Sequence, residues 1–336
     1  NYNLKNLTKI KKNFNLLNET KFLRFLKSSR LKQIESSYND VNVDIYMRIS
    51  SFLNISDTKI SIPKLMSTKT SNEVKNIMSC HLEDGLAILK FIIDLKQKKI
   101  VPQNEYEISE YLYNYRKEGI NFFRNSFDYI SAFDSNAAII HYKPLKNKSL
   151  SFKNRNILLL DSGGQYLEGT TDITRVIKVG NKNSLKIKYF YTYLLKSLIK
   201  IENKKFSKNI KAFEIDLFCR NYLSRFGIFY GHGTGHGVGN FGDVHEKFPI
   251  ISPNSTHIIK NNNIFSIEPG HYLEGKFGLR IENLYVVKKQ KNVTKLKNIS
   301  LAPYELDLID WRLITKFERN YIKKYHKKIL RFFEKR

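Results

Sequence analysis

Glycine punctuates the second half of this chain and divides it into short apolar runs, a pattern that favours strands and tight turns. Several of these glycine-containing stretches also carry acidic or histidine side chains. They read LLLDSGGQYLEGTTDITR, GHGTGHGVG, SIEPG and GLRIEN. The pattern predicts a strand-rich region in which polar side chains lie close to the turns.

Five side chains in these stretches are common metal ligands: Asp161, Asp172, His236, Glu268 and Glu282. Carboxylates with one imidazole form an oxygen-rich set that suits two adjacent divalent ions of the Mn, Fe, Co or Zn kind. Two ions bridged by carboxylates can hold a hydroxide between them, so the set points to hydrolysis. A turn-forming aspartate or a surface glutamate would explain any one residue alone, whereas the whole set predicts a dinuclear site.

Each pair of carboxylates flanks a predicted hairpin. Asp161 follows an apolar run and is expected to end a buried strand, and a second strand begins near Asp172. A Pro-Gly turn signal follows Glu268, and Glu282 lies fourteen residues further on. Because Arg280 lies two residues before Glu282, we expect it to share that strand face and to steady the carboxylates.

Histidines cluster around the glycine-rich stretch. His232 and His236 have the i, i+4 spacing of a helical zinc pair, but the interspersed glycines favour a strand or loop. His245 follows in DVHE. A single histidine is usually an ordinary core residue, and the grouping of these histidines favours a functional role.

Alternating helical and strand-like segments predict an α+β architecture with two halves around one sheet. Ser71 is expected to cap a helix, with Glu73 in its first turn, and a second helix covers Glu107–Glu118. The segment Asn183–Arg225 is helical by pattern and interrupts the strands, and another helix starts at Thr315. The β-rich runs are Ile139–Tyr142, Ile157–Asp161, Val176–Val179, Ile264–Ile267 and Leu284–Val287.

Three segments are expected along the chain. Residues 1–69 are basic and rich in Asn and Ser, and we interpret them as an appendage or the remnant of a preceding domain. Residues 70–295 form the main domain, and residues 296–336 form a helical tail. The first residue is not methionine, which is compatible with a trimmed or partial chain, and any targeting peptide upstream would not be visible.

Composition restricts the class of protein. The net charge is +27, but lysines are scattered along the chain, so we attribute the charge to overall composition and do not expect nucleic acid as a partner. No apolar run is long enough to predict a transmembrane helix. Two cysteines, far apart in sequence, fit a reducing compartment, and we expect a cytoplasmic location.

These segments resemble the aminopeptidase P family, which belongs to the pita-bread metallopeptidases together with methionine aminopeptidase, prolidase and creatinase. The resemblance extends from about residue 62 into the tail, and it is closest to the longer, eukaryote-like type. It includes SNAAIIHY around His141, DSGGQYLEGTTDITR, GHGTGHGVGNFGDVHE, EPGHYLEGKFGLRIEN and LAPYELDLID. It implies a pita-bread fold, with two pseudo-symmetric α+β halves around a curved, mostly antiparallel sheet.

The resemblance also implies roles for individual residues. Metal ligation falls on Asp161, Asp172, His236, Glu268 and Glu282. Asp172 and Glu282 would bridge the two ions, and Glu268 would accept the proton of the attacking water. Substrate-binding or proton-transfer roles fall on His141, His232 and His245, and His232 or His245 would stabilise the oxyanion. We also expect Arg280 to take part in substrate binding.

The implied activity is removal of an N-terminal residue that precedes proline. Manganese is the first expected metal, with zinc, cobalt and iron as alternatives. Peptides are the expected substrates, and a homodimer is possible. The long forms carry two further domains before the catalytic one, whereas only about seventy residues precede it here. This departure leaves dimerisation and the preferred substrate length open.

Two other interpretations remain. A prolidase or creatinase-like hydrolase would use the same scaffold and differ in its pocket residues. A basic, catalytically silent binding module would suit the high positive charge, although loss of ligands would be expected in such a protein and none is lost here.

Overall fold

A computed structural model of the chain describes residues 17–38, 41–58 and 62–334. Backbone contacts divide the chain into two compact units, Asn1–Ile62 and Pro63–Arg336. In the described part of the chain, no helix is long and apolar enough to cross a membrane. The two cysteines are buried and make no disulfide.

In its described residues, 17–38 and 41–58, the N-terminal unit contains two helices and one pair of strands. Its elements are α1 (Glu19–Ser28), β1 (Gln33–Ser36), α2 (Val43–Ser50) and β2 (Asn54–Asp57), followed by α3 (Ile62–Met66) at the junction. The two strands pair in parallel, and Leu26, Ile49 and Leu53 form a small core. Asn18 and Asn42 cap the two helices through their side-chain oxygens.

The long helix that follows α3 in the second unit has a different cap from the one expected. Thr70 is the N-cap residue, and it forms a capping box with Glu73, so Ser71 is the first helical residue. This half of the unit comprises α4 (Ser71–Lys96), α5 (Glu105–Lys117), β3 (Phe122–Asn125), β4 (Ile130–Phe133), β5 (Ile157–Ser162), β6 (Gly164–Tyr166), β7 (Gly169–Thr170) and β8 (Ile173–Lys178).

The other half repeats the order of helices and strands. Its helices confirm the pattern predicted over Asn183–Arg225 and from Thr315 onward. The elements are α6 (Leu185–Asn203), β9 (Phe206–Ser207), α7 (Ala212–Ser224), β10 (Gly235–Gly237), β11 (Glu246–Ile251), β12 (Ile264–Ile267), β13 (Gly270–Leu273), β14 (Phe277–Arg280), β15 (Asn283–Gln290), β16 (Val293–Asn298) and α8 (Lys316–Phe333).

Each half packs helices on an antiparallel sheet, which confirms the α+β prediction. Apolar residues of α4 and α5 bury β4, β5 and β8, which form a three-stranded sheet. Residues of α6, α7 and α8 form the core with a six-stranded sheet ordered β11-β10-β12-β15-β16-β9. The strands thus fall into separate hydrogen-bonded sheets rather than one continuous sheet.

One predicted strand is wrong. Ile139–Tyr142 follows a 3-10 helix, Asn136–Ala138, and forms a turn. The Tyr142 hydroxyl donates to the buried Glu105 carboxylate at 2.6 Å, and this contact holds the segment against the start of α5. Tertiary contacts therefore override the β-propensity of the apolar run.

A candidate dinuclear metal centre

The five predicted ligands meet where the two sheets adjoin. Thr174 on β8 and Glu282 before β15 connect the sheets through two hydrogen bonds. The Glu282 backbone N–H donates to the Thr174 carbonyl at 3.1 Å, and the Thr174 hydroxyl donates to Glu282 Oε2 at 2.9 Å. Each half of the unit therefore contributes carboxylates to the same place.

The first hairpin supplies Asp161 and Asp172. In the antiparallel pair β5–β8, Asp161 lies opposite Thr174, and Ser162 lies opposite Ile173. Asp172 immediately precedes that last pair, so both carboxylates stand at the same end of the hairpin. Their residues are only 8% and 3% exposed. The predicted hairpin is confirmed, with the short strands β6 and β7 forming its connection.

The second hairpin supplies Glu268 and Glu282. Strands β12 and β15 pair from Ile264 to Ile267, and the last pair is Ile267 with Asn283. The two glutamates are the next residues outward from that pair. Strands β13 and β14 form the hairpin between them, as the sequence predicted.

His236 lies on β10 between two glycines that allow close strand approach. A Cβ on Gly235 would lie 1.8 Å from the Ser266 carbonyl oxygen, and one on Gly237 would lie 2.2 Å from the Phe248 carbonyl oxygen. This packing leaves His236 Nε2 3.4 Å from Asp172 Oδ2 and 3.5 Å from Glu268 Oε1.

Among the five predicted ligands, two groups of atoms are close enough to hold one ion each. Asp161, Asp172 and Glu282 form one group, and His236, Glu268 and Glu282 form the other, with ligand atoms within 4.8 Å of one another in each. Glu282 belongs to both groups, and Asp172 touches both because of its contact with His236. Asp172, His236 and His245 form a further group of the same size, which the sequence did not predict.

The buried carboxylates have unsatisfied oxygens. Asp161 Oδ1, Asp172 Oδ1 and Glu282 Oε1 are buried and have no hydrogen-bond partner. Burial, and then repulsion from the neighbouring acids, raise the pKa values of Asp172 and Glu282 well above their usual range. Cations placed among these oxygens would offset both costs, so the residues fit a pair of divalent ions.

A series of hydrogen bonds connects His232 to Asp161, one of the predicted metal ligands. Arg280 Nη2 donates to Asp161 Oδ2 at 2.6 Å, and Arg280 Nη1 donates to the Tyr272 hydroxyl at 2.9 Å. That hydroxyl lies 2.9 Å from His232 Nε2. Arg280 thus steadies a carboxylate as expected, but its partner Asp161 comes from the opposite hairpin.

The remaining histidines line the same cavity. The ring of His245 lies 4.1 Å from that of His236 between centroids, and His141 lies on the cavity wall. Desolvation lowers the pKa values of His232 and His245 to about 4, so both rings are neutral near pH 7. All the predicted site residues, ligands and substrate-binding residues alike, line this cavity of about 630 Å³.

Sequence reasoning missed the residues that support the ligands. Thr174 holds Glu282, Tyr272 bridges His232 and Arg280, and the Ser266 hydroxyl lies 3.3 Å from Glu268 Oε1. Thr174 and Ser266 each stand two residues from a ligand on a strand, so period-two spacing could have indicated them. Tyr272 had no comparable signal.

The chain belongs to metallopeptidase family M24. The family model matches residues 81–289, and the model for the C-terminal region of these peptidases matches residues 292–335. The family has the pita-bread fold that the sequence implied, and the resemblance predicted from the sequence segments is confirmed.

Curated relatives of this chain are named Xaa-Pro aminopeptidases. The probable Xaa-Pro aminopeptidase P of Arthroderma gypseum is 34% identical over 315 residues, which cover 88% of this chain and 49% of that protein. The putative Xaa-Pro aminopeptidase FRA1 of Saccharomyces cerevisiae is 37% identical over 280 residues, covering 80% of this chain and 37% of that protein. The chain thus spans about half or less of the length of these relatives.

Solved structures show the same fold. The X-prolyl aminopeptidase of Caenorhabditis elegans, described as a cytosolic enzyme with a di-nuclear active site, has a TM-score of 0.81 and 28% identity, covering 94% of this chain and 53% of that one. A prolidase of Thermococcus sibiricus has a TM-score of 0.70 and 26% identity, covering 85% of this chain and 76% of that one.

Proposed function

We propose that this chain is the catalytic part of a metal-dependent Xaa-Pro aminopeptidase. The observation that carries the proposal is the set of five clustered ligands, in which buried carboxylate oxygens of Asp161, Asp172 and Glu282 lack partners. The named relatives support the choice of substrate, since Xaa-Pro aminopeptidases occur among both the sequence and the structural matches.

Two ions would be held by the ligands already grouped in space. Asp161 would complete the first site, His236 and Glu268 would complete the second, and Asp172 and Glu282 would serve both. When bound, such ions lower the pKa of water and polarise the scissile carbonyl. We propose manganese as the physiological ion, with zinc, cobalt and iron as alternatives, because a carboxylate-rich set with one imidazole accepts each of them.

The protein's own groups would handle the proton and the developing charge. Glu268 faces the cavity, and as a carboxylate beside the position of the attacking water it would be within reach of that water's proton. His245 is neutral, so it can donate an N–H to the oxyanion without a buried positive charge. His232 was the other candidate, but its Nδ1 donates to the Gly233 carbonyl at 2.8 Å and its Nε2 lies 2.9 Å from the Tyr272 hydroxyl, so His232 would orient the substrate through that hydroxyl. His141 would line the proline side of the substrate, and Arg280 would take part in substrate binding from the cavity wall.

Other features of the proposal come from the relatives. A cytoplasmic location is supported by the cytosolic enzyme of Caenorhabditis elegans and by the two unpaired cysteines. A homodimer remains a prediction. We also propose that residues 1–69 are an appendage to a catalytic domain at 70–295 with a helical tail at 296–336.

The test is hydrolysis of an Ala-Pro-Ala tripeptide with added Mn²⁺. We expect turnover that EDTA abolishes, and Asp172→Asn should lower kcat/KM by more than about 100-fold because it removes a ligand. The matched control is Asp307→Asn, since the Asp307 side chain is 68% exposed and lies outside the cavity. Absence of turnover in a protein that binds no Mn²⁺ would overturn the proposal in favour of a basic binding module.

A prolidase activity is the second candidate, because prolidase structures match the fold as well. Comparing Ala-Pro with Ala-Pro-Ala separates the two activities. Faster cleavage of the dipeptide would identify a prolidase.

A further inference from the structure

A second cavity adjoins the metal centre. It has a volume of about 540 Å³ and shares Val244 and His245 with the cavity that holds the ligands. Its other walls come from β3 and from the loop after β10. Since the ring of His245 lies 4.1 Å from that of His236, the two cavities meet directly beside the predicted metal ligands.

An exposed pair of aromatic rings marks the second cavity. Phe123 and Phe241 meet edge to face with ring centroids 5.7 Å apart. They remain 61% and 46% exposed, so their pairing does not bury them in the core. Partly exposed aromatic rings beside a cleft provide the large, rigid apolar surface that typically binds a ligand side chain.

The backbone at Phe241 is held in an unfavourable conformation. Its φ is +53°, and the other described non-glycine residues with positive φ are Asn, Asp or Lys. Strands β6 and β7 hold this loop in place, because the Gly242 carbonyl accepts hydrogen bonds from Gln165 Nε2 at 2.6 Å and from the Thr170 hydroxyl at 3.2 Å. Phe241 thus has a strained backbone although its ring is not buried in the core. Such strain is often found at residues that bind a ligand.

Polar groups on the same walls suit a peptide main chain. Arg124 and Asp243 both line the cavity, and within the described part of the chain neither side chain takes part in an ion pair. One offers hydrogen-bond donors and the other offers acceptors, which are the partners that peptide carbonyl and N–H groups require.

We propose that this cavity is an accessory subsite for the part of a peptide substrate that follows the proline, with Phe123 and Phe241 binding an apolar or aromatic side chain at its third residue. The inference rests on the proposed function. An aminopeptidase substrate extends beyond the metal centre only in its C-terminal direction, so a solvent-open cavity next to the centre matches the leaving part of the peptide.

Phe241→Gly is the decisive variant. It removes the ring, and glycine relieves the positive φ, so the fold is retained. We expect kcat/KM for Ala-Pro-Phe-Ala to fall about threefold to tenfold through a higher KM, and that for Ala-Pro-Gly-Ala to stay within twofold. Phe317→Ala is the matched control, because Phe317 is 59% exposed on α8 and outside both cavities.

A binding assay separates this inference from the proposed activity. A fluorescent Ala-Pro-Phe-Ala analogue with a reduced, uncleavable first bond is titrated with parent protein and Phe241→Gly. Weaker binding by the variant supports the subsite even in a protein without turnover. Equal affinity of both proteins, or equal losses for the Phe and Gly peptides, would overturn it.

Discussion

At the residue scale, two glycines decide whether His236 can reach the other ligands. The strand that carries His236, β10, lies between β11 and β12. A Cβ at Gly235 or Gly237 would overlap backbone atoms of β12 or β11, respectively. The glycines are therefore required for packing, and the predicted site depends on them although they have no side chain to bind a metal.

Gly235→Ala should separate β10 from β12. Its Cβ would lie 1.8 Å from the Ser266 carbonyl oxygen, so the free energy of unfolding should fall by about 2 kcal/mol or more, and Mn²⁺ affinity should fall with it. Gly231→Ala in the same segment is the control, because a Cβ there would meet no atom within 4 Å beyond its chain neighbours, and it should leave both quantities unchanged. Urea denaturation and Mn²⁺ titration measure the two effects, and equal results for the two variants would contradict the argument.

At the element scale, α8 is tied to the domain by buried polar contacts. Lys196 on α6 and Glu318 in the first turn of α8 form an ion pair at 2.7 Å, with side chains 9% and 6% exposed. Further along α8, the Tyr325 hydroxyl lies 3.1 Å from Arg175 Nη2, and Arg175 Nη1 donates to the Glu282 carbonyl at 2.6 Å. The C-terminal helix thus supports the strand that carries a predicted metal ligand.

Glu318→Gln should change stability in a pH-dependent way. Burial opposes ionisation, but hydrogen bonds from Lys196 and Thr315 outweigh it and lower the pKa of Glu318. A lowered carboxyl pKa adds stability above the unfolded value of about 4.3, and that stability is lost as pH falls through the folded value. At pH 7 the variant should therefore be about 3 kcal/mol less stable, because Lys196 stays buried without its partner.

The difference between parent and Glu318→Gln should shrink below about pH 4. Thermal unfolding across pH 3 to 8 provides the measurement. Glu110→Gln, on an exposed position of α5, is the control that should leave the pH profile unchanged. A constant difference at all pH values would contradict the role assigned to the charge.

At the scale of the whole molecule, the two halves bring like charges together at their junction. Asp161 and Asp172 come from one half and Glu268 and Glu282 from the other, and Arg280 is the cation that touches them through Asp161. Folding without metal therefore buries carboxylates that repel one another. The repulsion makes the free energy of packing the two halves together less favourable.

Mn²⁺ should stabilise the protein more at pH 8 than at pH 5. The raised pKa values of Asp172 and Glu282 mean that the metal-free folded state holds these protons more tightly than the unfolded chain, so its stability falls as pH rises above about 4. Metal removes that penalty, and at 100 times Kd it adds about 2.7 kcal/mol. Calorimetry of unfolding with and without Mn²⁺ tests this expectation.

Asp172→Asn removes one of the repelling charges and one ligand together. We expect it to raise metal-free stability at pH 8 and to abolish most of the Mn²⁺ effect. A full Mn²⁺ effect in this variant would show that the ion binds elsewhere.

The sequence by itself determined the local features of this protein. Both carboxylate hairpins, the helices over Asn183–Arg225 and the helix after Thr315 follow from turn residues, spacing and caps, which act between neighbours in the chain. The clustering of the five predicted ligands was also foreseeable, because residue chemistry alone restricts which side chains can hold hard divalent ions.

Only the tertiary structure decided how these parts face one another. Arg280 lies beside Glu282 in sequence but pairs with Asp161, and Tyr272 joins His232 to that pair across the second hairpin. The apolar run at 139–142 became a turn for the same reason. These contacts depend on where distant segments meet, and the free energy of burying them is settled by packing that no local pattern records.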